Sequence, residues 1–383
     1  MSNFRITTNG LFRNYRTNLS KNNKSLNDAM TTVQTSRKFN TYAEDPAEAS
    51  KAWRLRRSYW RTNDQIDNTN YAISKFESVY TAMGSIVDGD ASNGEYGLNG
   101  ILEAIRGNTG TAGASRTTLG GQLLRTAENM VAMMNTQYGD DFVFAGADGE
   151  NVPFRWEGDK LLYRGIDVST PRTDLTMEDF NDENGNFDQT KYDTAKQAYQ
   201  EAHPSWPESS FDDALSLNRM ASETTYLDIG IGLKESERGE VVTGSAFNTA
   251  VSGLNFLGYG EDKNLAVIVH ELGEIYSKAD PDTGEYANAE DKGRADELLT
   301  KLHNAVAYSQ EQHTQLDANA RYLRTNLTQL ETNKAELDKQ IVDTEDIEMG
   351  DAITQMTWAK YCYDAALRIG TNILSQSLLD YMS

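Results

Sequence analysis

Three groups of residues in this chain have types and spacings that could do chemistry. His270-Glu271-Leu272-Gly273-Glu274 is half of a zinc-protease helix motif. That chemistry needs a second histidine four residues on, so that both imidazoles meet the metal from one helix face. Glu274 stands there instead, and the other histidines, His203, His303 and His313, complete no ligand set by spacing. An amphipathic helix carrying Val267, Leu272 and Ile275 accounts for the segment equally well. Asp182, Asn184, Asn186, Asp188 and Asp193 fall at positions 1, 3, 5, 7 and 12 of a calcium loop. Gly185 arrives two places too early for the sharp turn, and Asp193 is shorter than the usual glutamate. A polar turn entering a helix is the expected structure, with calcium binding the lesser alternative. Cys362, the single cysteine, is flanked by Tyr361 and Tyr363 with only Lys360 basic nearby, which favours burial over nucleophilic use. No phosphate-cradling glycine loop, serine elbow or cysteine pair occurs. The residues therefore point to no catalytic group, no cofactor and no enzyme.

The elements that would position such residues are more informative. The formal charge is −22. Residues 1–90 hold 13 basic and 9 acidic side chains, whereas residues 140–300 hold 13 basic against 34 acidic. An acidic middle argues against nucleic acid, whose affinity comes mostly from phosphate neutralisation. No apolar run is long enough to span a membrane. The first residues lack a basic stretch followed by an apolar core, which predicts no cleaved secretory signal.

Proline marks the organisation. Pro46, Pro153, Pro171, Pro204, Pro207 and Pro281 leave two proline-free stretches, 47–152 and 282–383. Because proline is expelled from helix interiors, both are candidates for long helices. In the first, Ala52, Tyr59, Ile66, Ile73, Tyr80 and Val87 recur every seven residues, with Leu55, Thr62, Thr69, Phe76 and Met83 as companion row. In the second, Leu302, Leu316, Leu323, Leu330 and Leu337 keep the same register, with Ser309 in the gap and Leu327 and Ile341 alongside. This spacing predicts a coiled-coil seam between two antiparallel arms. The seam residues are Leu55, Tyr59, Ile66, Ile73, Phe76, Tyr80 and Met83 on one arm, and Leu316, Leu323, Leu330 and Leu337 on the other.

Both extreme ends carry looser apolar stripes. One runs through Tyr15, Leu19, Asn22, Leu26, Met30 and Val33, weakened at Asn22. The other runs through Met349, Ile353, Met356, Tyr363, Leu367 and Leu374, interrupted at Lys360 and Gly370. Exposed apolar stripes on chain ends predict an intermolecular partner. The expected assembly interface comprises Leu19, Leu26, Met30, Val33, Ile353, Met356, Tyr363, Leu367, Leu374 and Leu378. Between the arms, Val152–Gly165 alternates around Glu157-Gly158-Asp159 and predicts a β-hairpin. Tyr226–Leu233 is strand-like, Tyr192–Ala202 is a short helix closed by Pro204, and Lys263–Tyr276 leads back into helix. The expected fold is mainly α with a β-rich insert, its long terminal helices paired as an antiparallel bundle. The expected divisions are a terminal helix 1–43, an N-terminal arm 44–150, an acidic insert 151–280, a C-terminal arm 281–344 and a terminal helix 345–383.

Several of these segments resemble flagellins and hook-associated proteins. Ser36–Leu55, with Glu44-Asp45-Pro46-Ala47, looks like the family's N-terminal box leading into a long helix. Asn63–Asn70 and Ala72–Met83 continue that helix as the family does. Asn319–Leu330 resembles the returning helix, and Glu345–Ala352 the element before the last one. Asn135–Gly146, Pro153-Phe154, Tyr163-Arg164-Gly165 and the terminal Ser377–Met382 are more similar to the hook-associated branch than to flagellin itself. The resemblance covers about the first 150 and last 100 residues and does not reach 170–225. It implies a structural subunit of the bacterial flagellum, exported unfolded through the flagellar type III route to the cell exterior. Its terminal segments would order only on assembly. The implied partners are further copies of itself in a ring or helical array, hook-associated protein 1, flagellin and a cytosolic export chaperone. A filament flagellin, a coiled-coil surface adhesin or tail component, and an enzyme carried on the insert are the competing readings.

Overall fold

The computed structural model describes residues 8–90, 95–107, 114–182, 185–236, 239, 241–242 and 244–382. Among these the helices are α1 (Thr8–Thr35), α2 (Pro46–Asp88), α3 (Leu98–Gly107), α4 (Ala114–Met134), α5 (Gln189–Ala202), α6 (Ser210–Ala221), α7 (Leu254–Leu257), α8 (Leu265–Ser277), α9 (Ala289–Glu345) and α10 (Met349–Met382). The strands are short: β1 (Gly89–Asp90), β2 (Glu95–Tyr96), β3 (Gln137–Tyr138), β4 (Asp141–Phe142), β5 (Ala145–Gly146), β6 (Phe154–Glu157), β7 (Lys160–Tyr163), β8 (Ile166–Asp167), β9 (Tyr226–Leu227), β10 (Phe247–Asn248) and β11 (Val251–Ser252). The fold is thus mainly helical with a small sheet insert.

The chain divides into two compact units, one formed by residues 1–64 and 329–383, the other by residues 65–328. α2 and α9 contribute residues to both.

In the first unit, the start of α2 explains the Glu44-Asp45-Pro46-Ala47 box physically. Asp45 Oδ1 accepts from the backbone N–H groups of Ala47 and Glu48 at 3.1 and 3.0 Å. Pro46 takes the first helical position, where its missing N–H costs nothing. Glu44 closes the preceding turn by accepting from Asn40 N at 2.7 Å and Thr41 Oγ1 at 3.0 Å. α1 packs along α10. Lys38 N donates to Glu345 O at 2.7 Å and Ile347 N to Ser36 O at 3.2 Å, tying the end of α1 to the α9–α10 corner.

In the second unit, α4 lies against α8, and glycine lets them approach. A Cβ on Gly120 would sit 2.5 Å from Ser277 N and 2.9 Å from Gly273 O, and one on Gly273 would sit 3.0 Å from Leu124 N. Asn264 caps α8 by accepting from Ala266 and Val267 N. The hairpin falls where the alternation places it, with Phe154 paired to Tyr163 and Glu157 to Lys160, and β8 extends it to three strands. Asn135 holds this sheet to the end of α4: its Nδ2 donates to Phe154 O at 2.9 Å, and Phe154 N donates to its Oδ1 at 3.0 Å. One continuous core joins α2, α4, α8, α9 and the sheet through Phe76, Met83, Leu123, Phe154, Leu272 and Leu323. A separate small core of Phe180, Tyr199, Phe211, Ala214 and Leu215 belongs to α5, α6 and the 3₁₀ turn Met177–Phe180. It occupies the 170–225 stretch that the resemblance does not reach.

Candidate assembly interface

The terminal stripes lie on α1 and α10 of the first unit. Leu19, Leu26 and Val33 are half-buried, whereas Met30 is exposed. On α10 the buried positions are small: Ala352, Ala359 and Gly370. Met356 and Tyr363 are half-buried, while Ile353 and Leu367 are exposed. Small residues let the helices approach, and the larger apolar side chains turn outward. The two apparent flaws in the stripes are contacts. Asn22 Nδ2 donates to the backbone carbonyl of Cys362 at 3.3 Å, and Gly370 makes room for the Tyr15 ring. Leu374 and Leu378 lie in the helical backbone of α10, but their side chains fall outside the described residues. Trp358 and Tyr361, each 72% exposed, and Ile369, at 55%, leave α10 with an uncovered apolar face. A face of this kind is a candidate interaction surface.

The seam residues appear in both units. In the first, Leu55, Tyr59 and Leu337 are half-buried and Leu330 is buried. Arg56 Nε donates to Glu345 Oε1 at 2.5 Å, and Arg56 Nη2 bonds the other carboxylate oxygen. This pairing holds the Glu345 carboxyl below its usual range. Lys334 Nζ donates to Asn63 Oδ1 at 2.7 Å and lies 5.3 Å from the Tyr59 ring centroid. In the second unit Ile66, Ile73, Phe76, Met83, Leu316 and Leu323 are buried. Tyr80 is half-exposed and stacks on His313 at 4.2 Å, while Arg324 donates to Glu77 at 2.7 Å. Residue numbers rise on α2 as they fall on α9, so the two helices run antiparallel.

Polar residues that the heptad pattern passes over do a different job. Gln65 Nε2 donates to the Asp228 carboxylate at 3.1 and 3.2 Å, Asn68 Nδ2 to Asp228 O at 3.0 Å, and Asn326 Nδ2 to Ile229 O at 2.7 Å. Side-chain amides from α2 and α9 thus hold the strap after β9, satisfying backbone that has no strand partner. Phe247 on β10 adds ring contacts to Phe76 and Tyr322. Gln65 and Asn68 sit beside the row positions Ile66 and Thr69, so the seven-residue pattern gave no signal for them.

The residues with chemical potential are otherwise engaged. His270 lies 4.6 Å from the Trp156 ring, Glu271 accepts from Arg294 Nε at 2.6 Å, and Glu274 pairs with Lys278 at 3.1 Å. Arg294 also bonds Asp262 at 2.6 Å and Glu297 at 3.2 Å, and Lys301 bridges Asp262 and Glu297. This network holds the Asp262 carboxyl down at about 2, chiefly through Arg294. A cavity of about 790 Å³ beside His270 is lined by Glu271, Glu274, Glu290, Asp291 and Glu297. In the calcium-loop candidate, Asp182 Oδ1 accepts from Asn186 N at 2.8 Å. Asp188 caps α5 through Thr190 and Lys191 N, and Asp193 accepts from Gln189 at 2.8 Å. Asn184 lies outside the described residues. Among the described residues no three His, Cys, Asp or Glu side chains are placed to hold a metal, and no helix is long and apolar enough to cross a membrane. Cys362 is half-buried.

Comparison with known proteins adds three findings. No curated protein matches the sequence. Among solved structures, a protein of Vibrio parahaemolyticus, provisionally described as a flagellar hook-associated protein, superposes with a TM-score of 0.51 at 12% identity. The match covers 79% of this chain and 100% of that one, and the likeness is one of fold. Residues 6–89 match the family described as the bacterial flagellin N-terminal helical region, so α1 and α2 together are a flagellin-like N-terminal helical region.

Proposed function

We propose that the chain is a structural, self-assembling subunit of the bacterial flagellum, serving as the ring that joins hook to filament in the manner of hook-associated protein 3. The observation that carries this reading is the α1–α10 pair, whose small-residue contact leaves Trp358, Tyr361 and Ile369 on an open apolar face. The match of residues 6–89 to the flagellin N-terminal region and the fold shared with the Vibrio protein support a flagellar role. The segment Asn135–Gly146, where α4 ends and short strands begin, favours the junction over the filament. On this reading copies pack on one another, on hook-associated protein 1 below and on flagellin above. The chain leaves the cell through the flagellar type III channel after release from an export chaperone. Leu19, Leu26, Val33, Met356 and Tyr363 hold the terminal helices together, while Met30, Ile353 and Leu367 face neighbouring copies. Ordering terminal helices at assembly costs conformational entropy, which burial of that apolar face offsets.

Quantitative mass spectrometry of flagella sheared from native cells tests this. A trace amount relative to the main filament protein is expected, because one short zone per flagellum needs few copies. Dominant abundance makes the chain the filament subunit instead. Absence overturns the flagellar assignment and leaves the surface-adhesin reading.

A further inference from the structure

In the first unit, α2 carries Trp53, Arg57 and Trp60 at the i, i+4 and i+7 positions of one helix face. The two indoles are 63% and 61% exposed, and the Arg57 guanidinium lies 5.7 Å from the Trp53 ring. This face lies to one side of the α9 contacts that α2 makes through Arg56, Tyr59 and Asn63. Tryptophan and arginine are the residues most enriched where binding energy concentrates, and leaving two indoles in water forfeits their burial. On α9 of the same unit, Glu331, Ala335, Asp338 and Val342 form the opposite kind of face, acid alternating with apolar at the same helical spacing. All four are exposed, and they too lie to one side of the seam, which α9 meets through Leu330, Lys334, Leu337 and Glu345. The charge of the unit is divided accordingly: residues 1–64 hold 12 basic and 5 acidic side chains, residues 329–383 hold 4 basic and 10 acidic.

We propose that the Trp53–Arg57–Trp60 face of one copy docks on the Glu331–Ala335–Asp338–Val342 face of a second copy. The inference rests on the self-assembling reading above and specifies its lateral contact. Charge complementarity selects the occupant: the basic aromatic face and the acidic face are built into one unit, so a chain of the same sequence supplies the match. Both faces lie off the seam between their own helices, with all of their side chains exposed. Used head to tail, the contact repeats into a ring where the rotation closes and a helical array where it does not. With the indoles over Ala335 and Val342, Arg57 would sit beside Asp338.

The test uses flagella sheared from cells whose only copy carries Cys362→Ser, Arg57→Cys and Asp338→Cys, oxidised and resolved by mass. Expected is a ladder of multimers linked through 57–338 peptides, absent from either single-cysteine chain. In the chain without added cysteines, Arg57→Glu should lower incorporation at least tenfold, and adding Asp338→Lys should restore it. The chain present in flagella with no 57–338 link, or with 57–57 links alone, overturns the proposed contact and leaves the flagellar reading standing. Absence from flagella of the chain without substitutions overturns both.

Discussion

Tyr15 on α1 covers Gly370 on α10 so closely that a Cβ at position 370 would overlap Tyr15 Oη and Cζ. In the sequence, Gly370 reads as a break in an apolar stripe. In the structure it is the seat for a ring from the other end of the chain. About two turns along the pair, Asn22 reaches the Cys362 carbonyl, so two polar or small residues fix the register of the terminal helices.

Gly370→Ala therefore has opposite effects in two backgrounds. With Tyr15 in place, the end of its half-buried ring must be pushed off Gly370, which should leave the change net destabilising by up to about 1 kcal/mol. With Tyr15→Ala the clash is gone, and only the helical preference of alanine over glycine remains, a gain of about 0.5–1 kcal/mol. Chemical denaturation of the two pairs, followed at helical circular dichroism, reads the change of sign.

Adjacent glycines in α4 separate packing from propensity in the same way. Gly120→Ala places a methyl against Ser277 N and Gly273 O, backbone that cannot swing aside, and should destabilise by about 1–3 kcal/mol. A Cβ at Gly121 meets nothing within 4 Å, so Gly121→Ala should stabilise by about 0.5–1 kcal/mol. Urea midpoints of the two variants provide the comparison.

Asp262 makes part of the stability depend on acid pH. Its carboxyl is held at about 2 by Arg294 and Lys301, below the ordinary 3.8. The folded value lies under the unfolded one, so the stabilisation is complete above about pH 4–5 and is lost as pH falls towards 2. Asp262→Asn should melt lower than the parent at pH 6, and the difference should close by pH 2. A difference that persists at pH 2 would assign the effect to packing.

Arg56 and Glu345 form a two-pronged pair whose carboxylate side chain is only 8% exposed. Removing the cation leaves that carboxylate uncompensated. Arg56→Met should cost about 1–3 kcal/mol, less than a fully buried pair because the guanidinium is partly solvated. Arg56→Lys should recover only part of the loss, since an ammonium cannot reproduce the fork. Thermal melts at neutral pH rank the three chains.

On the assembly reading, Leu19→Asp should loosen α1 from α10 and abolish incorporation into flagella while leaving the second unit folded. Protease-resistant fragment mapping of the variant, set beside its yield in sheared flagella, checks both halves of the statement.

Much of the helical frame was legible because its signals are local. The Asp45-Pro46 start of α2, the proline-free stretches and the seven-residue rows each depend on residues within one helix. The hairpin around Gly158-Asp159 was legible for the same reason. The acidic insert was harder to read. Its strands are two to four residues long, too short for alternation to register, and much of it is helix held by caps at Asp188 and Asn264. His270, Glu271 and Gly273 read as half a metal motif because three residues of one helix say nothing of Trp156, Arg294 and Gly120, which arrive from other segments.

By itself the sequence determined that the two arms and both chain ends are largely helical, that these helices need partners along one face, and that the charge is divided between a basic beginning and an acidic remainder. Those properties follow from side-chain periodicity and composition, which act over a few turns. Only the tertiary structure decided which face meets which: that α1 lies on α10 with Tyr15 over Gly370, that Gln65, Asn68 and Asn326 grip the strap after β9, and that Trp53, Arg57, Trp60, Trp358 and Tyr361 remain outside. The physical reason is that a contact between residues hundreds of positions apart depends on shape and hydrogen-bond satisfaction at one place in space. A glycine or an asparagine carries no mark of the partner that will fill it.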